Sequence, residues 1–103
     1  MLDKHITVQL DSELNNTIQY LFYLTESYRE IVKDLIDNKR NINGNKELLD
    51  YYIEEYNNYN IQLMTLKEET VGALCEIPEN KRAIYYIDFI RQCIVITDIV
   101  DII

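Results

Sequence analysis

Residues 12–43 contain neither glycine nor proline, and the whole chain of 103 residues has only two glycines and one proline. Because glycine and proline mark most turns, their scarcity predicts few turns and long elements, which favours helices over a sandwich of short strands. Hydrophobic residues make up 48% of the chain, too many for a disordered tail. We therefore expect a single, mainly α-helical domain over residues 1–103.

The apolar spacing predicts a first helix over about residues 12–38. Its inner stripe steps by four and three residues and comprises Leu14, Ile18, Leu21, Thr25, Tyr28, Val32 and Leu35. Asp11 or Ser12 can cap its N-terminus. Glu13 lies in the first turn, where a carboxylate interacts favourably with the helix dipole.

A second helix is predicted over about residues 46–76. Its inner stripe comprises Leu49, Tyr52, Tyr56, Tyr59, Leu63, Leu66 and Thr70. The segment 38–45 is dense in turn formers, and Gly44 can supply a left-handed conformation there. Pro78 prevents the second helix from continuing. Two helices joined by a short turn are expected to pack as an antiparallel hairpin.

The C-terminal third of the chain is expected to add a shorter third helix over about residues 79–92. Pro78 suits the start of a helix. The spacing of Ile84, Ile87 and Ile90 favours an inner helical face.

Two short segments favour strands. Ile6, Val8 and Leu10 alternate with polar residues, which is typical of a half-buried strand at 4–10. A β-branched run follows Cys93, and its first residues, 93–97, have high strand propensity. Residues 93–103 either pair with 4–10, within the chain or across a dimer, or continue as a helix that closes a three-helix bundle.

The negative charge is concentrated in one segment. The net charge is −8, and residues 47–79 hold eight acids against Lys67 alone, a local net of −7. Such a segment repels phosphate backbones and attracts basic surfaces, although charge of this size also serves solubility alone. We expect a protein partner with a basic surface and no direct nucleic-acid binding. Charges within 83–103 also predict that this apolar stretch does not span a membrane.

Two further features favour a cytoplasmic protein. Cys75 and Cys93 form no CxxC motif and are too few for a disulfide framework, which suits a reducing compartment. The N-terminus lacks the apolar core of a signal peptide. The heavy use of Asn, Ile, Tyr and Lys suggests an AT-rich genome, such as a low-GC bacterium, its phages or another mobile element.

No residue pattern predicts catalysis, a cofactor or a metal. His5 is the only histidine, and neither glycine lies in a phosphate-binding loop. The paired acids Glu54/Glu55 and Glu68/Glu69 have the spacing of a solvated helix face, whereas acid–base catalysis needs carboxylates that converge in a cleft. We expect no enzymatic activity.

Aromatic and apolar residues outside the inner stripes predict a binding surface. Exposed aromatics are enriched in protein interfaces, although residues 80–103 could instead cover these side chains. The candidate partner-binding residues are Phe22, Tyr23, Tyr51, Glu54, Glu55, Ile61, Glu68 and Glu69.

The segment Ile6–Leu14 resembles the strand-to-helix entry of ribbon-helix-helix DNA-binding proteins, and Tyr28–Ile36 is similar to their second helix. The resemblance implies a dimeric DNA-binding regulator or antitoxin in which Thr7 and Gln9 read bases. The chain departs from that family after Leu24, where the usual glycine-containing turn is missing.

Ile42-Asn43-Gly44 resembles in position the central turn motif of WXG-type secretion-system hairpins, but the motif's aromatic residue is absent. That resemblance implies a structural or secreted hairpin protein. We expect instead a small acidic regulator, inhibitor or immunity-type protein that self-associates as a homodimer.

Overall fold

The computed structural model describes residues 5–37 and 42–102. These residues form two helices and a three-stranded antiparallel sheet, so strands form a larger part of the fold than expected. The elements in chain order are β1 (Ile6–Gln9), α1 (Ser12–Asp37), α2 (Ile42–Leu74), β2 (Lys81–Asp88) and β3 (Cys93–Asp101). Within the described ranges, no helix has the length and apolar character needed to cross a membrane.

Helix α1 has almost the predicted bounds, and Asp11 caps it. The backbone N–H of Leu14 donates to Asp11 Oδ1 at 2.8 Å, and the N–H of Asn15 donates to the Asp11 carbonyl at 3.0 Å. The first bond satisfies an amide group that has no backbone partner in the first turn, and the second is the first backbone hydrogen bond of the helix. Of the two predicted caps, Asp11 is therefore the one that acts.

Helix α2 begins about four residues earlier and ends two residues earlier than predicted. Gly44 lies inside its first turn, and no described glycine has a positive φ, so the predicted left-handed role of Gly44 is wrong. The rest of the predicted turn, residues 38–41, lies outside the described residues. At the other end, Cys75 N–H donates to the Val71 carbonyl at 2.9 Å. The helix ends before Pro78, since proline disfavours the helical conformation in the residue that precedes it.

The predicted third helix over 79–92 is wrong, because this segment forms β2 and a hairpin turn. The core-facing side chains of β2 are Ala83, Tyr85 and Ile87. Ile84 and Tyr86 lie on the opposite face and are exposed. The strand period of two thus overrides the three-residue spacing of isoleucines that favoured a helix. Ile90, a predicted core residue, is 94% exposed in the turn.

The turn between β2 and β3 is stabilised by Asp88 and Gln92. Asp88 Oδ1 accepts hydrogen bonds from the backbone N–H groups of Ile90 at 3.1 Å and Arg91 at 3.0 Å. Gln92 takes the left-handed conformation, with φ of 56°. An aspartate that bonds the backbone two and three residues further on is a common turn device.

The strand order is β1-β3-β2, with β3 in the centre. Val8 lies opposite Ile94, which confirms the strands predicted at 4–10 and 93–97 and places their pairing within one chain. β3 continues beyond 97 along β2 to Asp101. Because Tyr85 faces Ile96 while Ile84 faces Asp98, Thr97 is an extra residue, so the bulge belongs to β3.

The chain divides into two compact units, Met1–Thr17 with Lys67–Ile103 and Ile18–Leu66. In the first unit, which we call the sheet unit, the buried core comprises Leu10, Val71, Ile94 and Ile96. In the second, the helical unit, Ile18 and Leu63 are buried, and so is Thr25. Thr25 Oγ1 donates to the Leu21 carbonyl at 2.8 Å, which satisfies its buried hydroxyl.

Candidate protein-binding surface

Tyrosine rings join the two helices of the helical unit. The Tyr28 ring of α1 stacks on the Tyr59 ring of α2, with centroids 5.3 Å apart, and lies 5.9 Å from the Tyr52 ring. Tyr51 meets Tyr52 edge-on at 5.1 Å. The Tyr28–Tyr59 and Tyr51–Tyr52 geometries are the favourable stacked and edge-to-face arrangements of aromatic pairs, and the Tyr28–Tyr52 pair is tilted by 38°. Loss of hydration raises the pKa of Tyr28, and nearby Tyr59 raises it further.

Helix α1 exposes a second set of aromatic side chains on the side away from its buried stripe. Tyr20 and Tyr23 are one helical turn apart, and Tyr23 is 67% exposed. Phe22 and Ile31 are also exposed. The predicted exposure of Phe22 and Tyr23 is therefore observed.

Helix α2 carries an exposed stripe in the helical unit that combines acids with large apolar side chains. The exposed stripe of α2 comprises Asp50, Glu54, Asn57, Ile61 and Met64, which follow one another in steps of four and three. Ile61 is 61% exposed. An apolar centre beside a charged rim is the usual composition of a protein-binding patch.

The predicted acid pair Glu54/Glu55 is divided between two environments. Glu54 is exposed on the stripe just defined, beside the apolar residues. Glu55 is half-buried and lies close enough to Tyr28 to raise the pKa of its hydroxyl. Of this pair, only Glu54 therefore lies on the same exposed stripe as Ile61.

Glu68 and Glu69 belong to the sheet unit, and Glu68 is associated with Tyr85. Burial raises the pKa of Tyr85 to about 12, and the Glu68 carboxylate adds to the shift. Lys67 Nζ lies 5.6 Å from the centroid of the Tyr85 ring, within the range of a cation–π contact. Glu68 lines an open cleft with Val71 and Tyr85, while Glu69 is exposed. The predicted acids thus belong to two units, Glu54 and Glu55 to the helical unit and Glu68 and Glu69 to the sheet unit.

Across 5–37 and 42–102, no three His, Cys, Asp or Glu side chains converge as metal ligands would. His5 is exposed, ahead of β1. Burial raises the pKa of Cys75, which favours the neutral thiol over the nucleophilic thiolate.

The residues that resemble a ribbon-helix-helix entry make bonds within this chain. Gln9 Nε2 donates to the Gln92 carbonyl at 3.0 Å, and the Leu10 N–H donates to the same oxygen at 2.8 Å. Ser12 Oγ donates to Gln92 Oε1 at 2.9 Å. One edge of β1 also pairs with β3. Helix α1 is continuous through Leu24, where ribbon-helix-helix proteins have a turn between two helices.

The segment that resembles the WXG turn, Ile42-Asn43-Gly44, lies in the first turn of α2. It is therefore part of a helix and does not form a turn between helices.

Comparison with known proteins gives no match to a family model, a curated protein or a solved structure.

Five exposed residues of α1 and α2 were not predicted from the sequence: Tyr20, Ile31, Asp50, Asn57 and Met64. Tyr20, Asp50 and Met64 are exposed beside predicted residues. Helical spacing could have identified each of these three. Tyr20 lies one turn before Tyr23, and Asp50 and Met64 lie one turn from Glu54 and Ile61 respectively.

Proposed function

We propose that this chain is a non-catalytic protein-binding module, a small acidic regulator or inhibitor, that docks through the exposed stripe of α2. The exposure of Ile61 and Met64 beside Asp50 and Glu54 is the observation that carries the proposal. Large apolar side chains become binding anchors when a partner removes them from water.

The partner has an apolar pocket with a basic rim. Ile61 and Met64 fill the pocket, while Asp50 and Glu54 meet Lys or Arg side chains around it. Complementary charges of this kind accelerate association and select against acidic surfaces. The net charge of −7 over residues 47–79 extends the same preference along the sequence.

The cytoplasm, or another reducing compartment, is the setting that suits this role. Cys75 and Cys93 are both free thiols, half-buried and buried respectively. Such a compartment keeps unpaired cysteines reduced.

The test is affinity capture from lysate with the immobilised full chain, followed by binding measurements on the identified protein. Ile61→Asp removes the apolar anchor, and Glu54→Lys reverses the rim charge. Each is expected to weaken binding about tenfold or more. Glu30→Lys, which makes the same charge change at an exposed position of α1, is the matched control and should bind like the wild type.

Two results would overturn this proposal. In the first, the captured protein binds both stripe variants as tightly as it binds the wild type. In the second, a specific DNA fragment is recovered in place of a protein, and binding depends on Gln9, as a ribbon-helix-helix regulator requires.

A further inference from the structure

Strand β2 forms one edge of the sheet, and one of its sides pairs with no described strand. It has eight residues, and in the described part of the chain its only strand partner is β3. The bulge lies on β3, and β2 contains no proline, so β2 lacks two of the usual devices that protect an edge. Its free side can therefore receive another strand.

The sequence of β2 is complementary to itself in antiparallel register. When Tyr85 is placed opposite Tyr85 of a second copy, Arg82 falls opposite Asp88, and Ile84 falls opposite Tyr86. Each of these pairs occurs twice, because the arrangement has two-fold symmetry. Opposite charges and aromatic–β-branched pairs are the cross-strand combinations that stabilise antiparallel sheets.

The side chains concerned lie on the correct face for this pairing. Directly opposite residues in antiparallel strands point to the same face, and Arg82, Ile84 and Tyr86 all lie on the face away from the core. Ile84 is 43% exposed and Tyr86 is 52% exposed, so each has apolar surface to bury against the other.

Asp88 can accept an additional arginine. Its Oδ1 accepts the two turn hydrogen bonds, while its Oδ2 forms an ion pair with Arg91 Nε at 3.8 Å, a distance that leaves the hydrogen-bonding capacity of Oδ2 unused. Oδ2 is therefore available to a guanidinium from the neighbouring strand.

We propose that β2 pairs with β2 of a second copy about a two-fold axis at Tyr85. The product is a homodimer with a continuous six-stranded sheet in the order β1-β3-β2-β2-β3-β1. A closed two-fold pairing of this kind removes one exposed edge from each copy. This interface is independent of the exposed stripe of α2, so either proposal can fail while the other holds.

The test is a charge-swap experiment on the full chain, read by sedimentation equilibrium. The wild type should show a concentration-dependent monomer–dimer equilibrium. Arg82→Glu places one glutamate opposite Asp88 at each end of the interface and should weaken the dimer about tenfold or more. Arg29→Glu, the same change on exposed α1, should leave the dimer unchanged.

The decisive experiment mixes the Arg82→Glu variant with an Asp88→Lys variant. Asp88→Lys alone should also dimerise poorly, because each introduced lysine faces Arg82 of the other copy. An equimolar mixture of Arg82→Glu and Asp88→Lys restores an opposite-charge pair at both ends and should form a heterodimer. If the loss of the turn acceptor unfolds Asp88→Lys, then Asp88→Asn retains that acceptor and should weaken the dimer by removing the charge.

A wild type that stays monomeric across the concentration range would overturn the proposal. The same conclusion follows if a dimer forms but resists Arg82→Glu, or if the two folded variants fail to associate on mixing.

Discussion

Asn15 is 1% exposed at the start of α1, where its Nδ2 donates to the Phe89 carbonyl at 3.2 Å. Its Oδ1 is buried without a hydrogen-bond partner in the described residues. An unsatisfied buried oxygen is destabilising, so the donor half of the amide accounts for asparagine at this position. Through that bond the first turns of α1 hold the turn between β2 and β3.

Replacing Asn15 with aspartate should destabilise the protein strongly. The carboxylate cannot donate to Phe89, and its charge would be buried without a partner, so we expect a loss of about 3 kcal/mol in the free energy of unfolding at neutral pH. The measurement is urea unfolding followed by circular dichroism. Asn16→Asp, the same change at the exposed neighbouring position, should stay within about 0.5 kcal/mol of the wild type. Equal stabilities of the two variants would contradict this account of Asn15.

The raised pKa of Tyr85 predicts that the free energy of unfolding falls at alkaline pH. Its pKa is raised to about 12 in the folded protein from the ordinary value of 10.0. Between pH 10 and about 12 the Tyr85 hydroxyl therefore keeps its proton in the folded protein but has lost it in the unfolded chain. The contribution of Tyr85 to the free energy of unfolding is complete below pH 10 and is lost as the pH rises to about 12.

Tyr85→Phe has no such proton to lose. We expect urea midpoints close to those of the wild type at about pH 8 and a smaller fall than the wild type at about pH 11. Parallel falls in the two proteins would show that Tyr85 does not carry the effect.

At the scale of elements, the C-terminal hairpin places two isoleucines only four residues apart in opposite environments, so substitutions at the two positions should differ in their effect on stability. Ile94 is completely buried in β3, whereas Ile90 is 94% exposed in the turn. We expect Ile94→Ala to reduce the free energy of unfolding by about 2–5 kcal/mol and Ile90→Ala to change it by less than about 0.5 kcal/mol. Chemical denaturation of both variants checks this. Similar losses at the two positions would instead favour a helix with Ile90 on its inner face.

The two helices could be predicted because their apolar residues keep the helical period over many turns. From Leu14 to Leu35 no glycine, proline or change of period interrupts the pattern. A sustained period of this length is the strongest signal that a single sequence provides. The start of α2 was less predictable, because Asn43 and Gly44 are turn formers that the structure places inside a helix.

The C-terminal hairpin could not be recognised in the same way, because its turn carries no glycine or asparagine. A left-handed turn position usually shows one of these residues, but here Gln92 occupies it. Ser12 Oγ donates to the Gln92 side chain and the Leu10 N–H to its carbonyl, and both donors are distant in sequence. Tertiary contacts thus stabilise a conformation that the local sequence does not indicate.

The candidate surface was predicted in part for a related reason. Helical periodicity separated exposed aromatics such as Tyr23 from the buried stripe, but adjacent acids such as Glu54 and Glu55 were treated as one face. Residues next to each other on a helix point about 100° apart, so one can be exposed while the other lies beside a tyrosine.

At the scale of the whole molecule, the uneven charge predicts a salt-dependent stability. The net charge is −8, and the ion pairs Arg29–Glu26 and Lys81–Asp101 involve partly exposed side chains, which contribute little. Repulsion among acids therefore dominates, and screening should raise the melting temperature by a few degrees in about 0.2 M NaCl. Glu54→Gln combined with Glu69→Gln should reduce this rise. A melting temperature that falls with salt would mean that favourable pairs outweigh the repulsion.

The central position of β3 determines the order in which the sheet can form. β1 and β2 do not pair with each other, and each finds its only described strand partner in β3. During synthesis β1 emerges before β3, and the Gln9 side chain cannot make its bond until Gln92, 83 positions later, has also emerged. Closing so long a segment is entropically costly and slow. An interrupted translation product would therefore have helices but no sheet, and a degradation system that detects unpaired strands could distinguish it from the finished chain.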